Sequence, residues 1–121
     1  MTDEEYYRKI EEYYIRGMII VICEAVLAEE IGVIAASRRL SSLGLKLLDG
    51  HDEDFSMFDV VDTEMDHLPV DIERRNWDEE ALKRKDFEIA KAEALYKDDV
   101  TEACGKLIER FVIGKNFQNP D

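Results

Sequence analysis

Apolar residues return at every third or fourth position along most of this chain, and no stretch alternates apolar with polar residues over the length of a strand. That is the period of an α-helix, so the chain can bury its apolar side chains only by packing helices on one another. Ile15, Met18, Ile19, Ile22, Ala25 and Val26 predict a first helix over 3–27, bent near Gly17, with Tyr6, Tyr7, Tyr13 and Tyr14 widening its inward face. Thr2 and Glu5 form a capping box at its start. After a break at Ile31-Gly32, Val33, Ala36, Leu40, Leu43 and Leu47 predict a second helix, ended by Gly50 in the left-handed conformation. Phe58, Val61, Met65 and Leu68 predict a short third helix over 55–68, which Pro69 stops. Asn76 is the expected cap of the next helix, with Glu79 completing a capping box. The stretch 77–112 is long enough for two helices with a break near Lys85-Asp86, and Gly114 is the expected stop. The expected architecture is an all-α, single-domain bundle of four to five amphipathic helices over 1–114, with a loose tail over 115–121.

Charge narrows the functions open to such a bundle. Sixteen Lys and Arg stand against 29 Asp and Glu, a formal net charge of −13. Nucleic acid is excluded as a direct partner because phosphate contacts need a basic face, and an anionic membrane surface would repel the chain. A cationic protein is the natural complement. Met1-Thr2-Asp3-Glu4-Glu5 is the wrong charge for a signal peptide, and the longest apolar run, 17–28, is too short to span a bilayer and contains Glu24. A cytoplasmic location is expected. Cys23 and Cys104 are then buried thiols, and no zinc-ligand spacing occurs.

The least ordinary segment is 49–73, with ten acids and no Lys or Arg. Within a helix over 55–68, Asp59, Asp62 and Asp66 would share one face, and like charges there need an offset. One offset is structural: Arg38 and Arg39 clamping Glu64 and His67, with His67 also favoured by the dipole at a helix C-terminus. Another is a partner, bound by Asp59, Asp62 and Asp66 together with Asp52 and Asp54. A third is a metal, because Glu64 and His67 have the Glu-x-x-His spacing of di-iron carboxylate bundles. No second such pair exists, 51–54 lacks the EF-hand pattern, and no catalytic residue, metal or cofactor is expected. Cys104 with His67 could imitate a nucleophile and base, but Cys104 lies on an apolar stripe where a thiol is inert.

Three pieces carry a resemblance: Arg38-Arg39-Leu40, then Asp62-Thr63-Glu64-Met65-Asp66-His67-Leu68-Pro69, then Arg75-Asn76-Trp77. Together they resemble a family of small uncharacterised helical proteins of bacteria. Proteins of this size and charge include immunity proteins that pair with toxins, so the resemblance implies a binding role and no assigned catalytic residue. The expected function is an acidic protein-binding module, an immunity protein that neutralises a basic bacterial toxin. The alternatives are a carboxylate and histidine metal-dependent enzyme, or a structural module that self-associates as a homodimer.

Overall fold

Four α-helices form: α1 Asp3–Leu27, α2 Val33–Leu48, α3 Ser56–Glu64 and α4 Glu79–Gln118. The computed structural model describes residues 1–118, the side chains of 71, 72 and 113–118 excepted. The fold is all-α and single-domain, with no strand among the described residues.

Local chemistry sets most of the boundaries. The Thr2 hydroxyl accepts from the Glu5 amide at 3.2 Å, and Asp3, Glu4 and Glu5 complement the positive end of the α1 dipole. Gly32, the residue before α2, has no side chain with which to cap it. Glu93 of α4 does so instead, its carboxylate accepting from the amides of Val33 at 2.6 Å and Ile34 at 3.3 Å. That cap comes from a distant part of the chain and ties the start of α2 to the middle of α4. At the other end of α2 the left-handed residue is Asp49 (φ 52°), not Gly50 as expected, and its amide donates to the Leu45 carbonyl.

The later elements depart further from expectation. The third helix is shorter than 55–68: a single 3-10 turn at Glu53–Phe55 precedes it, and it ends at Glu64. A second 3-10 segment, Asp71–Asn76, forms the connector. The cap of α4 is Asp78, which accepts from the Ala81 amide at 2.8 Å, while the expected Asn76 belongs to the connector. α4 is one helix, running through both the break expected at Lys85-Asp86 and the stop expected at Gly114. The tail expected over 115–121 is therefore helical as far as Gln118, and its remainder lies outside the described residues.

Packing follows the apolar stripes. α1 packs on α2 and α4, and α2 also packs on α3. Glu29, just beyond α1, pairs with Lys97, while Cys23 meets Cys104, so α1 runs antiparallel to the second half of α4. Ile19, Ile34, Leu40, Phe58, Val61, Leu68, Val100 and Leu107 are fully buried. Cys23 and Cys104 are buried together between α1 and α4, and the contact with Cys104, then burial, raises the Cys23 thiol so that it stays protonated.

Gly44 is where α2 meets Phe55 most closely: an added Cβ would lie 2.5 Å from that ring. Gly105, inside α4, faces open space. Gly44→Ala should therefore destabilise the fold by about 1–3 kcal/mol through overpacking. Gly105→Ala should stabilise it by about 0.5–1 kcal/mol through helix propensity. Urea denaturation of the two variants checks the opposite signs.

Candidate functional site

The end of α3 leaves carbonyls without helical partners, and Pro69 prevents the chain from continuing as a helix. Arg38 of α2 fills this gap. Its Nη2 donates to the carbonyls of Met65 at 2.5 Å and Leu68 at 2.8 Å, and its Nη1 donates to the Glu73 carboxylate at 2.9 Å. Its Nε lies 3.7 Å from Asp62. Burial pushes the Asp62 carboxyl up, Arg38 opposes that, and Asp66, Asp59 and Glu73 add to it. The sign is unfavourable to the ionised form: stability is greater below the unfolded value and declines as pH rises through the folded one.

Arg38 thus holds the end of α3, and its partners are not the Glu64 and His67 expected from the sequence. The Glu64 carboxylate accepts from the Tyr96 hydroxyl of α4. His67 lies 3.8 Å from Glu88 of α4. Because α3 stops at Glu64, Glu64 and His67 do not share a helical face, and the Glu-x-x-His spacing brings no two ligands together. Among the described residues no group of three or more His, Cys, Asp or Glu is placed to hold a metal ion. Arg39 is exposed and lines a groove between α1 and α2, together with Arg38 and Glu73.

Most acids expected to meet a partner are engaged within the chain. Arg110 of α4 donates to both Asp52 and Asp54 at 2.9 Å, with its guanidinium 5.2 Å from the Phe111 ring. That hydrogen bond is the main reason Asp52 sits below the usual carboxylate range, and it raises Arg110 in turn. Asp59 accepts from the Ser41 hydroxyl at 2.5 Å and lies 3.6 Å from His51. Asp62 belongs to Arg38. Asp66 is exposed, beyond the end of α3 and so off the helical face expected to unite it with Asp59 and Asp62.

That groove between α1 and α2 encloses about 1200 Å³. Tyr13, Tyr14, Met18 and Val21 of α1 form one wall, Leu43 lies on the other, and Phe111 of α4 also lines it. Tyr14 is 65% exposed and Val21 66%. The tyrosines expected on the inward face of α1 are on its surface, as two edge-to-face pairs, Tyr6 with Tyr7 and Tyr13 with Tyr14. The reason is that Ile15, Ile19, Cys23 and Val26 already complete the stripe facing the core. α1 is apolar on a second face as well, and the signal was present in the run 17–28, where Glu24 is the single charge. A helix that is apolar all round is normally covered on all sides.

Fold and site together define an all-α single-domain protein with one face of its first two helices open as an apolar groove. By sequence the chain belongs to the family of proteins of unknown function DUF2489, whose profile matches residues 4–107. No curated protein and no solved structure matches it. Among the described residues no helix is long and apolar enough to cross a membrane.

The clamp predicts two outcomes. Arg38→Met should cost about 2–4 kcal/mol in chemical denaturation, since it strands two carbonyls and an acid that is partly buried. Arg110→Met should be less stable than the parent at neutral pH. The lowered Asp52 contributes its stabilisation fully above the unfolded value near about 4 and loses it as pH falls through the folded value. The gap between variant and parent should therefore close on acidification below about pH 4, and a gap that widens there would contradict the assignment.

Proposed function

We propose that this protein is a protein-binding module whose partner seats in the groove between α1 and α2. One observation carries the reading: Tyr14, Met18 and Val21 stand exposed on a helix whose opposite face is already buried in the core. A continuous apolar surface of this kind on a charged protein marks an interaction site, and tyrosines are efficient anchors at such surfaces. The clamp supports the same reading, because Arg38 and Glu73 border the groove and hold its floor in place.

A second reading keeps the acids as the binding surface. The net charge of −13 and the exposed Glu53 and Asp66 favour a basic partner, and a cytoplasmic immunity protein that neutralises a bacterial toxin would fit that charge. The exposed positions of both surfaces allow a direct comparison. Partners captured from the source organism and identified by mass spectrometry should be lost with Val21→Glu and kept with Asp66→Lys. The opposite pattern, with capture that weakens steeply with salt, moves the function to the acidic face.

A further inference from the structure

The α1 wall of the groove continues toward the start of that helix as one seam. Tyr7, Ile10, Tyr14, Gly17 and Val21 follow one another at spacings of three and four, and all five are exposed. That is the 3.5-residue period of a helix that packs along another helix. The seam lies opposite Ile15, Ile19, Cys23 and Val26, which face the core. None of its five positions carries a charge, so its cover is set by shape and apolar contact. Gly17 is its centre. A glycine inside a helix weakens it relative to alanine, and an added Cβ here would meet nothing within 4 Å among the described residues. The fold gains nothing from the missing side chain. A second helix crossing at this point does, because its backbone can approach closely where no Cβ intervenes.

We infer that the seam pairs with itself: α1 of a second copy crosses α1 antiparallel at Gly17. The inference rests on the protein-binding reading and names the partner. A two-fold axis through Gly17 sets the positions three and four before it against those three and four after it. Tyr14 of each copy then meets Val21 of the other, large against small. A parallel pair would instead crowd the two Tyr14 rings and leave a gap at Val21. Tyr6, Tyr7, Ile10, Tyr14, Met18 and Val21 expose on the order of 700 Å² per copy, since a buried aromatic side chain covers roughly 150–250 Å². Two copies together would bury on the order of 1400 Å², above the roughly 1000 Å² that a specific interface should clear. Two chains of net −13 repel, which opposes the pairing. Salt screens that repulsion and leaves the apolar contact intact, so the dimer should tighten as salt rises.

Sedimentation equilibrium of the full chain at rising concentration, in low and high salt, tests this. A monomer–dimer equilibrium is expected, tighter in high salt. Gly17→Ala should raise the melting temperature of the monomer and weaken the dimer about tenfold. Tyr14→Lys and Val21→Glu, both at exposed positions, should each abolish the dimer. An equimolar mixture of these two variants should restore one, because the new cation and the new anion meet across the antiparallel crossing, and restoration also shows that both variants fold. A dimer that none of the three substitutions weakens, or one that loosens as salt rises, overturns the inference. Dimers lost singly and not restored in the mixture overturn the antiparallel crossing. A monomer at every concentration overturns the pairing outright. The protein-binding reading then stands if a different protein captured from the source organism is lost with Val21→Glu, and falls with the inference if that capture survives.

Discussion

The Arg38 guanidinium sits where α2 meets the end of α3, and much of the molecule's shape depends on the groups it satisfies there. A helix cannot pass Pro69, so carbonyls at Met65 and Leu68 would otherwise be left unsatisfied beside a core that contains Leu68. One planar fork reaches both carbonyls and two acids. This sets the direction in which the chain leaves α3, and through Glu73 it draws the connector toward α2. The connector then delivers the chain to α4, where Arg74 meets Asp86 at 2.7 Å and Tyr96 meets Glu64. A lysine at position 38 could supply charge but not this geometry.

The sequence disclosed the parts of this arrangement that depend on local periodicity. The stripe of α2 and the Thr2 cap are short-range properties and stand where the spacing puts them, while of the stripe expected in α1 Ile15, Ile19 and Val26 are buried and Met18 is exposed. The clamp expected from the sequence joined Arg38 and Arg39 to Glu64 and His67, whereas Arg38 bonds Met65, Leu68 and Glu73 and lies beside Asp62. What was illegible depends on residues far apart in the chain. Nothing near Gly32 announces that Glu93 will cap α2, and nothing near Glu64 announces Tyr96. The end of α3 at Glu64 removed the helical face on which Asp66 and His67 had been placed with their neighbours. α4 continues through Lys85-Asp86 and Gly114 because neither is a strong breaker and the stripe Ala92, Val100, Cys104, Leu107 and Phe111 holds it to the core. The groove was hidden for a related reason: the apolar run 17–28 satisfies two faces at once, and periodicity alone assigns both to the core.

Two surfaces of opposite character result. Around α3 the acids are held by Arg38, Arg110 and Ser41, so a segment that looks uniformly repulsive in the sequence is largely an internal electrostatic frame. Between α1 and α2 an apolar groove lies open with an arginine on each wall. The protein-binding reading places recognition on the second surface and stability on the first. In this view the acids serve the groove indirectly, because they fix Arg38 and so the position of α2 against which a partner would lie.

Hydrogen exchange of the full chain with and without a partner captured from the source organism addresses that division directly. The account predicts added protection along α1 and α2 on either side of the groove, around 13–22 and 35–43, with little change across 51–67. Protection concentrated in 51–67, with the groove walls exchanging as before, would contradict it.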